Sequence, residues 1–292
     1  RRGWAALAVT ACLLGAAVIS YMRPRARGPQ TSGSVISAPM FTPISSTSDL
    51  ESTPSISPDG QSVAYVHRMP DGRKLLALWS GSEAGTRLIG DPSANYSRPA
   101  WSPDGSSLAY FREAPDGAQD LLIREMATGA ERLAARQSAA ERGLGLAWVQ
   151  SGNGGYLVTS ECAFADTPCS LVAISAAGGR RKRLSFPPPG AEGDSLPAVS
   201  PDSRWLAYPR YLTPLRSEHW MMPLPADLMG AGGYERLQEP LRNAKPVADA
   251  PNEFSGVGWE SKGRDLNLTA GRMDYDSALW RYHISGGRWE RP

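Results

Sequence analysis

From about residue 60 the chain alternates apolar and polar positions in short runs separated by turn residues. Val63-Ala64-Tyr65-Val66, Leu108-Ala109-Tyr110-Phe111, Tyr156-Leu157-Val158-Thr159, Trp205-Leu206-Ala207-Tyr208 and Leu266-Asn267-Leu268-Thr269 each read as a β-strand. Three of these runs follow the same punctuation: Ser57-Pro58-Asp59-Gly60, Ser102-Pro103-Asp104-Gly105 and Ser200-Pro201-Asp202-Ser203. Two follow degenerate versions, Trp148-Val149-Gln150-Ser151-Gly152 and Trp259-Glu260-Ser261-Lys262-Gly263. The residue just before each turn (Ile56, Trp101, Trp148, Val199, Trp259) recurs at spacings of 45, 47, 51 and 60 positions, the sign of an internal repeat.

In the Ser-Pro-Asp-Gly turn, proline presets φ, aspartate bonds the backbone two residues on, and glycine accepts a positive φ. A second strand follows in every unit (75–79, 121–126, 170–175, 219–224, 278–284), and a short third is marked by Arg87-Leu88, Arg132-Leu133, Arg183-Leu184 and Arg236-Leu237. With the strand before the turn, each unit has four strands. The predicted fold is therefore all-β, a β-propeller of four-stranded blades with five recognisable repeats. Trp101, Trp148 and Trp259 are expected in strands near the axis, packing blade on blade; if Trp101 is buried, its replacement by Ala costs about 3–5 kcal/mol.

Pro99-Ala100-Trp101-Ser102-Pro103-Asp104-Gly105 followed by Leu108-Ala109-Tyr110 and Gly129-Ala130-Glu131-Arg132-Leu133 resembles the WD-like repeats of TolB-type propellers, a resemblance that covers residues 41–292. Such propellers have six blades, so the resemblance implies a ring cut short at its C-terminal end, with a five-bladed closure or a degenerate arrangement as the alternatives. Phe41-Thr42-Pro43-Ile44 is placed as an outer strand.

Ahead of the repeats the pattern changes. Residues 4–22, WAALAVTACLLGAAVISYM, carry no charge over nineteen positions, a helix of ~28 Å that matches a bilayer core of ~30 Å. They are predicted to span a membrane once, with Trp4 and Tyr21 near the two interfaces and residues 1–3 as a cytoplasmic stub. Residues 23–40, rich in Pro, Gly and Ser, read as a tether to the folded part. The arginines on the two sides do not orient the helix.

Composition narrows the functional classes. Thirty glycines and 25 prolines among 292 residues exceed the usual share yet remain below that of low-complexity chains. Thirty-one Lys and Arg against 29 Asp and Glu leave a net +2, without the basic surplus of a dedicated nucleic-acid-binding domain. Cys162 and Cys169 flank a loop between adjacent antiparallel strands, where opposed Cα atoms lie within disulfide range. Such a bond would add about 2–3 kcal/mol and persists outside the cytoplasm, which places the propeller in the periplasm or outside the cell and the helix in a bacterial inner membrane.

Three stretches invite chemistry. Gly193-Asp194-Ser195-Leu196 spells a hydrolase nucleophile motif, but Ser195 aligns with Ser52 and Ser97 of the repeat and no Asp-x-x-His partner follows, so it is read as blade. Arg180-Arg181-Lys182-Arg183 is read as a solvated hairpin turn rather than a phosphate site. His67, His219 and His283 share no ligand spacing. No catalytic set, metal or cofactor is expected, and binding is assigned to channel-mouth loops, with Asn95, Tyr96, Asp194 and Ser195 as the candidates.

The order helix, tether and TolB-like repeats also resembles the CadC-like membrane-tethered transcriptional regulators. That resemblance implies a non-catalytic sensor or interaction domain. Its partners would be an extracytoplasmic protein or small ligand, the membrane through one helix, and DNA only through an N-terminal winged helix lying outside this sequence. A bacterial Ser/Thr kinase with the same helix and propeller and a TolB-like envelope scaffold are the alternatives, told apart by the upstream sequence.

Overall fold

The computed structural model describes residues 50–81, 85–138, 144–151, 155–162, 168–214, 216–225, 228, 245–246, 254–259, 265–270 and 278–290. The predicted stub, spanning helix, tether and outer strand at Phe41–Ile44 lie outside the described residues, as does Arg236-Leu237. Among the described residues no helix is long and apolar enough to cross a membrane.

Each predicted unit is a sheet. The first holds β1 (Leu50–Ile56), β2 (Ser62–Arg68), β3 (Lys74–Ser80) and β4 (Thr86–Ile89), paired in that order and antiparallel throughout. The second holds β5 (Tyr96–Trp101), β6 (Ser107–Glu113), β7 (Gln119–Glu125) and β8 (Glu131–Gln137), and the third β9 (Leu146–Val149), β10 (Tyr156–Glu161), β11 (Ser170–Ser175) and β12 (Arg181–Arg183). The fourth is built from β13 (Gly193–Asp194), β14 (Ala198–Val199), β15 (Trp205–Thr213), β16 (Arg216–Pro223) and β17 (Lys245–Pro246). The fifth comprises β18 (Phe254–Trp259), β19 (Asp265–Ala270), β20 (Ala278–His283) and β21 (Arg288–Glu290).

The fourth sheet's extra strand has a local cause. Its first strand is broken in two, β13 and β14, which both pair with β15. Between them Leu196 sits at φ 48°, and Thr53 (φ 50°) and Arg98 (φ 54°) occupy the same position before proline in β1 and β5, where the register shifts by a bulge. The break is thus the repeat's own bulge, and the fourth sheet is a four-stranded blade with its inner strand interrupted.

The sheets are radial. β1 packs against β5, β5 against β9, β9 against β14, and β14 against β18, so the first strand of each unit touches the first strand of the next. Apolar faces meet between blades rather than within them. Ala64, Leu76 and Leu78 of the first blade enclose Leu108, Tyr110 and Leu122 of the second. Phe111, Leu121 and Ile123 meet Leu157, Val172 and Ile174 of the third, and Val158, Leu171 and Leu184 meet Leu206, Tyr208 and Met222 of the fourth. A row of blades whose cores are their mutual faces is a β-propeller.

The Ser-Pro-Asp turns repeat atom for atom. Ser57 Oγ donates to Asp59 Oδ1 at 2.5 Å and accepts the Ser62 N–H at 2.9 Å, Ser102 does the same with Asp104 (2.6 Å) and Ser107 (2.9 Å), and Ser200 with Asp202 (2.6 Å) and Trp205 (2.9 Å). The three serines are buried while the aspartates lie on the outside. Hydrogen bonds from Ser57 and Ser102, chiefly, hold the Asp59 and Asp104 carboxyls below their usual pKa. Gly60 and Gly105 both take φ 72°, and in the fourth blade Ser203 takes φ 56°, a left-handed conformation unfavourable for a serine. Its hydroxyl accepts the Gln150 N–H at 3.1 Å, tying it to the degenerate turn of the third blade.

Trp101 and Trp148 pack on the first two inter-blade clusters but are only partly buried, so replacing Trp101 costs less than a fully buried ring would. Trp259, also partly buried, donates Nε1–H to the Ala198 carbonyl at 2.9 Å, linking the fifth blade to the fourth.

Candidate functional site

At the end of the blades opposite the Ser-Pro-Asp turns, a cleft of about 550 Å³ opens between the second blade and the connection that enters it from the first. Strand register builds it. Arg112 on β6 faces Asp120 on β7, and Asp120 faces Arg136 on β8, so three strands end in an Arg-Asp-Arg row. Arg136 reaches Asp116 Oδ2 at 2.5 Å and Asp120 Oδ1 at 3.1 Å, whereas Arg112 stands 3.6 Å from Asp120 and 3.8 Å from Glu131. The hydrogen bond and charge of Asp116 are the main causes that raise the Arg136 pKa above its ordinary value.

The opposite wall is the β4–β5 connection, with Asp91, Ser93 and Asn95 in the lining. Asn95 joins two blades: its Oδ1 accepts the Lys74 N–H at 3.0 Å and its Nδ2 donates to Glu113 Oε2 at 3.3 Å. Asp91 Oδ1 accepts from the Ser93 backbone (2.8 Å) and hydroxyl (2.7 Å). Those bonds, with a smaller contribution from the charge of Arg112, hold the Asp91 carboxyl below its usual pKa.

Of the four predicted mouth residues, the structure brings only Asn95 to this cleft. Tyr96 is core: it is 2% exposed, its ring meets that of Tyr110 edge-on at 5.6 Å, and its hydroxyl accepts the Asp91 N–H at 2.7 Å. Asp194 and Ser195, expected on an exposed loop, are buried beside the third blade. Asp194 has no exposed surface and binds Arg210 through two parallel hydrogen bonds, to Nε at 2.7 Å and Nη2 at 2.9 Å. Arg210 lies 4.1 Å from the Trp220 ring centroid. Burial opposes the Arg210 charge, but Asp194 outweighs it and the pKa stands above its ordinary value. With its aspartate committed to Arg210 and its serine enclosed, the Gly-Asp-Ser-Leu stretch is structural.

Three residues of the basic run, Arg180, Arg181 and Arg183, are exposed as expected, and the fourth is not. Lys182 is buried, and its Nζ donates to the Leu228 carbonyl at 2.9 Å. Arg181 binds Glu161 at 3.0 Å and the Arg136 carbonyl of the second blade at 2.6 Å. The run is thus mostly exposed and at the same time fastens blades together through Arg181 and Lys182. Cys162 and Cys169 are joined by a disulfide, with Cα atoms 4.0 Å apart, one step beyond the Glu161–Ser170 pair of the β10–β11 register.

The histidines sit in three different blades. His67 lies 3.7 Å from Glu51, and His283 lies 3.0 Å from Glu290. His219 is 2% exposed, and burial pushes its pKa down to about 4. Between that value and the unfolded value near 6.5 the unfolded chain binds the extra proton, so stability falls as pH drops through this window. The full effect is on the order of 3 kcal/mol, complete below about pH 4. Urea unfolding of the wild type at pH 7 and pH 4.5 should show the loss, and His219→Gln should remove most of the difference; an equal loss in the variant would assign it to other groups.

Sequence reasoning missed Arg112, Asp120 and Arg136, which only strand pairing unites. It also passed over a second repeated turn, Pro70-Asp71-Gly72 and Pro115-Asp116-Gly117, in which Asp71 and Asp116 accept backbone N–H groups at 3.0 and 3.1 Å. Pro115 and Gly117 of that turn line the cleft.

No family model matches the chain, and no curated protein matches it. Solved structures do. TolB from Acinetobacter baumannii superposes with a TM-score of 0.61 at 14% identity, over 84% of this chain and 55% of its own. A putative TolB from Agrobacterium tumefaciens gives 0.62 at 17% identity, over 85% and 82%. An oligogalacturonate lyase from Vibrio parahaemolyticus gives 0.55 at 13% identity, over 85% and 66%. The chain thus spans little more than half of the Acinetobacter protein. At these identities the likeness establishes the fold, a TolB-like β-propeller.

Proposed function

We propose that this chain is the extracytoplasmic binding propeller of a membrane-anchored signalling protein. It would be a non-catalytic sensor or interaction domain of a CadC-like one-component transcriptional regulator, whose DNA-binding part would precede the apolar stretch at residues 4–22. The observation that carries the binding role is the cleft between the second blade and the β4–β5 connection, where Arg112, Glu113, Asp120 and Arg136 of the blade and Asp91 of the connection converge on open space. Polar groups gathered in a concave surface at the mouth of a rigid scaffold are the usual form of a recognition site. The disulfide supports the compartment, since such bonds persist where the environment is oxidising. A TolB-like envelope scaffold is the second reading, favoured by the likeness to two TolB structures. Both readings share the cleft and the compartment; they differ in whether a DNA-binding domain lies upstream.

The test is photo-cross-linking in living cells with the full protein. A photoreactive residue at Ser93 or Pro115, both exposed at the cleft, should give discrete adducts that the same residue at exposed Gln61, on the Ser-Pro-Asp end, does not. Non-reducing peptide mapping of the same material should recover Cys162 linked to Cys169. Equal labelling from Gln61 would remove the cleft as the binding surface, and two free thiols would remove the compartment argument.

A further inference from the structure

The cleft's charges select a ligand class. Arg112 is the key residue. A guanidinium carries five N–H donors, and its neighbours on the second blade spend theirs: Arg136 on Asp116 and Asp120, Arg124 on Glu131 at 2.9 Å. The two carboxylates nearest Arg112 stand 3.6 and 3.8 Å away, too far for a direct hydrogen bond, and none is made by its side chain among the described residues. It is 36% exposed and lines the cleft. This is a planar cationic fork held in place by the Arg-Asp-Arg row with its donors open, the geometry that takes a carboxylate through two parallel bonds.

The rest of the lining opposes a simple anion. Asp91, Glu113 and Asp120 stand against Arg112 and Arg136, leaving the cleft one negative charge in excess. Asp91 is fixed by Ser93 through one oxygen, and Glu113 is held by Asn95. These two carboxylates form the rim facing solvent, while Asp120 is buried within the row. An anion alone would meet that rim; a cation alone would use none of the Arg112 N–H donors, which Asp120 and Glu131 face without hydrogen-bonding. A molecule with both charges a few ångströms apart satisfies both sides.

We infer that the cleft binds a small zwitterion with a free carboxylate and a free ammonium group, an amino acid or short peptide, its carboxylate on Arg112 and its ammonium on Asp91 and Glu113. The volume of about 550 Å³ lies within the range of small-molecule sites and exceeds a single amino acid, which leaves room for a side chain or a second residue. This inference rests on the cleft being the binding surface and adds what it recognises.

The test uses calorimetry and thermal melting on the full protein. The probes are the common L-amino acids one by one, and glycylglycine beside N-acetyl-glycylglycine and glycylglycinamide. Zwitterionic members should bind and raise the melting temperature; the acetylated and amidated forms, each lacking one charge, should not. Arg112→Gln should weaken binding roughly 10- to 100-fold, Asp91→Asn somewhat less, and Arg112→Lys should fall between wild type and Arg112→Gln because it keeps charge without the fork. Melting of each ligand-free variant checks folding, and if Arg112→Gln fails to fold, Arg112→Lys and Asp91→Asn carry the comparison. Binding of the amidated or acetylated dipeptide as tight as that of glycylglycine, binding untouched in folded Arg112 variants, or no binding by any zwitterion would overturn the ligand class. In the last case, protein adducts from Ser93 or Pro115 would leave the cleft reading standing with a protein partner, and their absence would end both.

Discussion

Replacing Asp194 by Ala should lower the unfolding free energy by about 3–5 kcal/mol, read as a shift in urea midpoint at constant slope. The magnitude follows from what remains. Arg210 keeps its charge at any pH where the protein folds, its side chain is 9% exposed, and Asp194 supplies both of its short hydrogen bonds. Removing the carboxylate strands a cation that the Trp220 face compensates only in part. Glu218, the cross-strand partner of Arg210, already accepts from Trp220 Nε1 at 3.0 Å. The double variant Asp194→Leu with Arg210→Met should recover much of the loss, since it removes the charge along with its partner. A single variant within 1 kcal/mol of wild type would show that water reaches Arg210 and that the pair is not buried as described.

The same pair shows where sequence reasoning stops. Asp194 and Arg210 are 16 positions apart and meet because β13 and β15 pair with Gly193 opposite Tyr211 and Asp194 opposite Arg210. A one-residue slip would turn the aspartate to the other face. The turns carry no such ambiguity. Serine, proline, aspartate and glycine settle their geometry with atoms no more than five residues apart, so the repeat and the strands beside it can be read from the chain, whereas the third and fifth units, which lack Ser-Pro-Asp, leave the number of blades open. Tyr96 illustrates the intermediate case. A tyrosine next to an asparagine in a connecting loop reads as surface, yet it is the first residue of β5 and its ring is directed onto the inter-blade core.

The cleft was unreadable for the same reason as the ion pair. Arg112, Asp120 and Arg136 come from three strands, and nothing in their neighbours distinguishes them from the arginines and acids that face solvent elsewhere. Lys182 and Arg181 err in the opposite direction: a run of four cations has the composition of a solvated turn, but the next blade offers the Leu228 carbonyl to one and the preceding blade the Arg136 carbonyl to the other. Inter-blade contacts, unlike turns, depend on how consecutive units are set against each other. That setting is encoded in side-chain volumes across the three clusters rather than in any local motif.

Gly193→Ala tests that setting directly. Gly193 has φ 120°, a region open essentially to glycine alone, and it bridges Cys169 of the third blade: the Cys169 N–H donates to the Glu192 carbonyl at 2.9 Å and the Asp194 N–H to the Cys169 carbonyl at 2.8 Å. A β-carbon there would lie 2.2 Å from both the nitrogen and the oxygen of Cys169, backbone atoms that the disulfide to Cys162 helps hold in place. Neither strand can yield without separating the blades or breaking the bridge. Strain and overlap together should cost about 3–5 kcal/mol. Gly190→Ala is the control, since Gly190 also has a positive φ, 84°, but open space around its missing β-carbon; it should cost only about 1 kcal/mol. Hydrogen exchange adds a local readout, with protection at Cys169 and Asp194 falling in the Gly193 variant before the Ser57 and Ser102 turns are affected. Equal losses in the two glycine variants would mean that the third and fourth blades do not meet at this bridge.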